Sequence, residues 1–306
     1  MRILHDWRDC PPEARHASVA LGNFDGVHLG HVEVLAAAHG ARPDAPRAVL
    51  TFEPHPRELF RPDDPAFHLM LPAVRAEALA AHGVSLEYEL PFDRAFSMMS
   101  ADNFVTDVLH TGLGASHVVC GPDFAFGYRR GGDVTLLAER AEALGIGFTI
   151  VPPLADRGGP ISSTRIRRAL QDGYPERATD LLGRPWSIRG EVAHGDARGR
   201  TIGFPTANVA LGRHLEPARG VYAVTVALPG GEKVNGVANI GRRPTVNAGI
   251  ESRVEVHLFE FDCDIYGSVI DVALHAFLRA ERKFGGLDEL RAQIAADSLE
   301  ARRLLA

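Results

Sequence analysis

The spacing of apolar residues changes character near residue 183. Before it, short β-rich runs alternate with segments that repeat apolar residues at helical spacing. Ser18–Leu21, 48–52, 86–90, His117–Cys120 and 147–151 read as strands, and 32–38, 72–82, 101–112 and 133–144 read as helices. This β-α-β rhythm predicts a parallel sheet with helices on both faces. Ligands of such sheets collect beyond the carboxyl ends of the strands.

From 187 to about 278 the pattern is different. Strand-like runs at 220–226, 236–240 and 253–259 are separated by Gly, Pro and Asn turns. Short strands at close spacing predict a closed barrel. Residues 287–305 return to helical periodicity and are expected to cap it. The sequence Leu182-Gly183-Arg184-Pro185 marks the change, so the 306 residues divide into expected domains at 1–183 and 184–306. The fold class is α/β in the first domain and β-barrel with a terminal helix in the second.

Composition narrows the function classes. Net charge is −6, made up of −7 over 1–183 and +1 over 184–306. Neither half has the basic excess of a polyanion binder, so no nucleic-acid partner is expected. The N-terminus has charges where a signal peptide needs an apolar core, and no run is long enough to cross a bilayer. The chain is therefore expected in the cytoplasm and without a membrane partner; weak self-association is compatible with this composition. Cys10, Cys120 and Cys263 form no CxxC pair and read as reduced, structural thiols.

The richest stretch is Leu21-Gly22-Asn23-Phe24-Asp25-Gly26-Val27-His28-Leu29-Gly30-His31, a strand running through a glycine turn into a helix. At a helix start His28 and His31 share a face, where the helix N-terminus already favours anions. Two imidazoles there can hold a triphosphate and stabilise charge forming on it. A metal pair or an incidental loop is the alternative. Near the end of the first half, Ile161-Ser162-Ser163-Thr164-Arg165-Ile166-Arg167 combines a helix-capping Ser163 or Thr164 with Arg167, suited to bidentate phosphate contact. Two more loops follow strands: Thr51-Phe52-Glu53-Pro54-His55-Pro56, and Gly121-Pro122-Asp123-Phe124-Ala125-Phe126-Gly127. Their His55, Asp123, Phe124 and Phe126 fit a ligand site or ordinary surface and core positions equally well.

In the second half, Gly203-Phe204-Pro205-Thr206-Ala207-Asn208 follows a Gly/Arg-rich stretch from Gly195 to Arg200. The stretch lacks a Walker ending, but Gly195, Gly199 and Gly203 can present backbone N–H groups to phosphates. Thr206 and Asn208 offer neutral oxygens suited to a hard cation; a plain turn is the alternative. Along 253–259, Glu255 alternates with Val254 and Val256, which puts it on the face opposite the valines. Periodicity alone would make Glu255 a solvent-exposed residue.

The GxFDGxHxGH string resembles the HxGH nucleotidyltransferase superfamily, and in this form the adenylyltransferase module of the bifunctional bacterial riboflavin kinase/FAD synthetases. The ISSTxIR segment and the G-x-D-F-x-F-G loop are similar to that module too. Pro205-Thr206-Ala207-Asn208, Gly220-Val221-Tyr222, Asn239-Ile240-Gly241-Arg242-Arg243-Pro244-Thr245, Glu255 with its flanks and Leu278-Arg279-Ala280-Glu281-Arg282-Lys283-Phe284 resemble the riboflavin kinase module. The resemblance implies a Rossmann-like HxGH domain followed by a kinase barrel. It implies that riboflavin is phosphorylated to FMN and FMN adenylylated to FAD, with ATP as co-substrate and Mg²⁺ as cofactor. It implies catalytic roles for His28, His31 and Glu255, the last as general base toward the ribityl 5′-hydroxyl. Nucleotide contacts would fall to Gly22, Phe24, Asp25, Gly26, His55, Ser163, Thr164, Arg167, Gly195 and Gly203. Flavin contacts would fall to Asp123, Phe124, Phe126, Asn208, Arg279 and Phe284, and Mg²⁺ to Thr206 and Asn208.

Overall fold

The computed structural model describes residues 1–193, 204–244 and 250–306, without the side chains of 243, 244, 250 and 251. The glycine-rich segment containing Gly195 and Gly203 lies outside the described residues. By compactness the described chain divides into Met1–Asp64 with Pro72–Ile161, and Pro65–Leu71 with Ser162–Ala306.

The first unit is a six-stranded parallel sheet in the order β1-β4-β3-β2-β5-β6. Its strands are β1 (Arg2–Leu4), β2 (Ser18–Leu21), β3 (Arg47–Glu53), β4 (Leu86–Pro91), β5 (His117–Cys120) and β6 (Gly147–Ile150). Helices α1 (Leu29–Ala41), α2 (Pro56–Phe60), α3 (Pro72–Ala81), α4 (Arg94–Ser97), α5 (Ala101–Asn103) and α6 (Val134–Ala143) connect them. Both sheet faces are buried: Val19, Leu50, Tyr88 and Val118 on one, Ala20, Val49 and Val119 on the other. Double burial is why these strands read as continuous apolar runs rather than as alternation. Asp133 caps α6 by accepting from the backbone of Thr135 and Leu136.

The helix expected at 101–112 departs from α geometry. One α-turn at Ala101–Asn103 leads into a π-helix over Phe104–Gly112. Leu113 N donates to Val108 O, one residue wider than an α bond, and Phe104, Val105, Val108, Leu109 and Gly112 are all buried. The wider turn keeps this closely spaced apolar set on the core side.

One polar cluster interrupts the apolar sheet face. Thr51 on β3 and Glu87 on β4 are fully buried, and Arg75 of α3 reaches them from above. Its guanidinium donates to Glu87 Oε1 at 3.2 Å, Thr51 Oγ1 at 3.3 Å and Glu89 Oε2 at 2.6 Å. Burial pushes the Glu89 carboxyl up despite the pull of Arg75.

The second unit holds a closed antiparallel barrel, ordered β10-β13-β12-β11-β14-β9. After a small hairpin, β7 (Ala155–Asp156) and β8 (Gly159–Pro160), in the first unit, come α7 (Ser163–Gln171), α8 (Pro175–Leu182) and the barrel strands. These are β9 (Trp186–Ala193), β10 (Ala207–Ala210), β11 (Gly220–Ala227), β12 (Lys233–Pro244), β13 (Ile250–Leu258) and β14 (Val269–Ala280). Trp186, Ile188, Val209, Val224, Ile240, Val254, Val256 and Val272 are buried. Helix α9 (Leu287–Leu305) covers part of the outer face, with Ala301 against Val221, Ala223, Val237 and Phe259. Helix α8 packs on β14 and β9. Segment Pro65–Leu71 is tied to this unit by Trp186 Nε1, which donates to Leu69 O at 2.8 Å.

Replacing Arg75 with Met should lower the unfolding free energy by about 3–5 kcal/mol, because buried Glu87 and Glu89 lose their counter-charge. Denaturant unfolding measures this, and a loss below about 1 kcal/mol would mean the carboxylates do not depend on Arg75.

Candidate active sites

The turn after β2 is conformationally strained. Phe24, Gly26 and Val27 have φ of 51°, 91° and 39°, so two non-glycine residues occupy the left-handed region. Phe24, Asp25 and Val27 are buried, which holds the turn in place. It delivers His28 as the N-cap of α1. His28 Nδ1 accepts from His31 N at 3.2 Å, and His31 Nδ1 accepts from His28 N at 3.3 Å. The two rings stack with centroids 3.5 Å apart and planes 14° apart. An imidazole whose Nδ1 accepts carries its proton on Nε2. The pair therefore presents two neutral Nε2–H donors beside a helix N-terminus, a suitable place for phosphate oxygens.

Beside this turn lies a cavity of about 790 Å³ lined by Phe52, Phe60, Phe92, Phe96, Phe104, Phe124 and Phe126, with Asn23, His55 and Asp123. Phe124 and Phe126 stack at 5.6 Å, and both also pack against the core. Their two sequence-level readings, core and ligand wall, are thus both met. His55 caps α2, its Nδ1 accepting from Arg57 N at 3.1 Å. Its Nε2 lies 3.1 Å from the Asn23 amide. With Nδ1 accepting, Nε2 must donate, so Asn23 presents its amide oxygen to His55. Arg57 is paired with Asp64 at 2.8 Å.

Ser162, not Ser163 or Thr164, caps α7: its hydroxyl accepts from Arg165 N at 3.3 Å. Ser163 and Thr164 begin the helix itself. Arg167 Nε donates to Phe67 O at 2.8 Å, and its guanidinium lies over the Phe67 ring.

The barrel carries a second cavity, of about 390 Å³, lined by Thr206, Asn208, Val256, Asp262, Cys263, Asp264 and Tyr266. Cys263 is exposed there, which removes it from the structural thiols expected from sequence; Cys120 is buried in the core, its thiol pushed up to about 12 by burial. Asn208 and Glu255 are direct cross-strand partners, as are Glu255 and Asn239. Direct partners share a face, and the buried Val254 and Val256 take the opposite one. The row continues through Val221 to Arg279. Arg279 is engaged with α9: its Nε and Nη2 donate to the Asp297 carboxylate at 3.0 and 2.8 Å. Phe284 lies under both Arg279 and Arg282. Among the described residues no group of three or more His, Cys, Asp or Glu is arranged to hold a metal. A cation at Thr206 and Asn208 would need ligands from a bound phosphate as well.

Sequence reasoning missed the cavity walls contributed by Phe52, Phe60, Phe92, Phe96 and Phe104. Phe52 ends β3, Phe60 ends α2, Phe92 follows β4, Phe96 is on α4 and Phe104 opens the π-helix, and the β3–β4 pairing sets the segments after those two strands side by side. It also missed Asn239 as a neighbour of Glu255, although the barrel register makes them partners.

The chain matches two family models in succession, FAD synthetase over residues 10–165 and riboflavin kinase over 182–305. It is 43% identical over 304 residues to the bifunctional riboflavin kinase/FMN adenylyltransferase of Escherichia coli strain K12, covering 99% of this chain and 96% of that protein. It is 38% identical to the protein of the same name from Bacillus subtilis, covering 99% and 97%. A crystal structure described as a macrolide-efflux protein from Streptococcus pneumoniae superposes with a TM-score of 0.88 at 37% identity, covering 98% of each chain. Among the described residues of this chain no helix is long and apolar enough to cross a membrane.

The reciprocal capping makes a stability prediction that is independent of chemistry. His28→Ala should cost about 0.5–2 kcal/mol, and His28→Asn, which keeps a cap acceptor, should recover most of it. Equal unfolding free energies for the two variants would remove the cap from the account.

Proposed function

The chain belongs to the bifunctional riboflavin kinase/FMN adenylyltransferase family, and on that premise we propose which residues carry each reaction. It is an enzyme of flavin cofactor biosynthesis: riboflavin becomes FMN, and FMN becomes FAD with release of pyrophosphate. The observation that carries the division of labour is that the two family matches run in order along the chain and each half has its own cavity. The functional division is placed at 1–183 and 184–306.

In the adenylyltransferase half, an FMN phosphate oxygen attacks the α-phosphorus of ATP and pyrophosphate leaves. The Nε2–H groups of His28 and His31 stabilise negative charge on the phosphates during transfer. Gly22, Phe24, Asp25 and Gly26 shape the turn against the nucleotide, and His55, Ser163, Thr164 and Arg167 are assigned to its phosphates by resemblance alone. The isoalloxazine ring occupies the phenylalanine cavity against Phe124 and Phe126, with Asp123 as a polar anchor. Aromatic walls suit a planar ring, and offset stacking fixes its orientation.

In the kinase half, Glu255 takes the proton of the riboflavin 5′-hydroxyl as that oxygen bonds to the γ-phosphorus, and ADP leaves. Asn208, on the same strand face as Glu255, contacts substrate. Arg279 and Phe284 border the flavin: the Asp297 pair fixes Arg279, which then supports Phe284. The Thr206 hydroxyl and Asn208 amide oxygen fit a hard cation brought in with the triphosphate. Mg²⁺ bound there would neutralise phosphate charge. Gly195 and Gly203 are assigned to ATP phosphates by resemblance alone. The reading places the enzyme in the cytoplasm, acting on small molecules.

Chromatographic product analysis with riboflavin or FMN as the starting flavin tests the division. Asn208→Ala should abolish FMN formation and spare FAD formation from supplied FMN. His28→Ala should do the reverse. Loss of both activities in either variant would mean the sites are not separate, and normal FAD synthesis by His28→Ala would take that histidine out of the mechanism.

A further inference from the structure

We propose that Asn239 is a positioning residue for Glu255 in riboflavin phosphorylation, itself held by Glu281 in the space above Gly241. The inference rests on the reading of Glu255 as general base. Asn239 of β12 stands directly opposite Glu255 of β13. Cross-strand partners have Cβ atoms about 4.5–5.5 Å apart and point to one face. Asn239 Nδ2 donates to Glu281 Oε1 at 3.3 Å. A primary amide has two N–H donors, so a second donor is available to the cross-strand carboxylate.

Gly241 makes the arrangement possible. It lies two residues along β12, on the same face as Asn239. A Cβ there would overlap Glu281 Oε1 and come within 3.4 Å of Asn239 Nδ2. Gly241 is not among the residues with positive φ, so the position needs glycine for space and not for backbone conformation. The carboxylate of Glu281 thus fills the volume a side chain would take and fixes the Asn239 amide.

The chemistry gives the amide a purpose. Glu255 must be ionised to accept the 5′-hydroxyl proton as the oxygen–phosphorus bond forms and the bond to ADP breaks. An N–H donor to one carboxylate oxygen holds the carboxylate's rotamer and leaves the other oxygen to face the hydroxyl. Polar or charged groups on the same barrel face include Asn208, Arg253, His257 and the Arg279–Asp297 pair nearby, and Asn235 and the Arg189–Asp271 pair further along it. Glu281, just past the end of β14, is tied to the Asn239 amide.

The test is kinase kinetics, with kcat and ATP KM measured separately, for Asn239→Ala, Asn239→Asp, Gly241→Ala and Glu255→Gln, and with adenylylation of supplied FMN followed in parallel. Asn239→Ala should lower kinase kcat by about 10- to 100-fold, the scale of misplacing a catalytic group. The ATP KM should stay unchanged. Asn239→Asp, which replaces a donor with a charge, should lower kcat at least as far. Gly241→Ala should resemble Asn239→Ala in direction, and adenylylation should be unchanged throughout. Wild-type kcat in both Asn239 variants, or a lower kcat accompanied by a raised ATP KM, would overturn the positioning role. An active Glu255→Gln would instead overturn the general-base reading and, with it, the proposal.

Discussion

A strand in the barrel wall turns only every second side chain to the core, and the site in the second half depends on that constraint. In the barrel, Val254 and Val256 take the buried face, so Glu255 must take the other. The antiparallel register then carries the choice to the neighbouring strands, where Asn208 and Asn239 fall beside it. No local preference of these polar residues is needed. A one-residue slip of β13 would bury the carboxylate and expose the valines together. The hydrophobic core therefore sets the site register and penalises the alternatives.

The parallel sheet solves a different problem. Both of its faces are buried, so few side chains along its strands are left to meet a ligand, and the groups that do so lie past the strand ends. The turn at Phe24–Val27 brings two imidazoles to the start of α1, where backbone hydrogen bonds fix their tautomers. Phosphate transfer suits such a place, because positioned N–H donors lower the barrier without forming a covalent bond. The aromatic cavity next to it adds apolar area for a flat ring. On the proposed assignment the chain combines a loop-end site and a strand-face site, each following from the scaffold beneath it.

Much of the architecture was legible in the sequence. The periodicity at Ser18–Leu21, His117–Cys120 and Leu287–Leu305 matches the observed elements, and the alternation at Glu255 put it on the correct face. The π-helix at Phe104–Gly112 was not legible, because its apolar spacing also fits an α-helix and only packing selects the wider turn. The cap of α7 fell one residue away, since Ser162, Ser163 and Thr164 can all accept the same bond. Arg279 read as a flavin contact from its motif, but its bidentate partner Asp297 comes from a helix that the motif does not include. Long-range pairing of this kind has no local signal. The grouping of Pro65–Leu71 with the barrel unit likewise depends on a Trp186 contact far along the chain.

The account's central claim is that one chain holds two independent nucleotide pockets. Equilibrium titration of the full chain with a non-hydrolysable ATP analogue and Mg²⁺ tests it most directly. It predicts binding of two nucleotides per chain, with one site lost and the other unchanged when either half's phosphate-binding residues are altered. A stoichiometry of one, or simultaneous loss of all binding on altering either half, would contradict it.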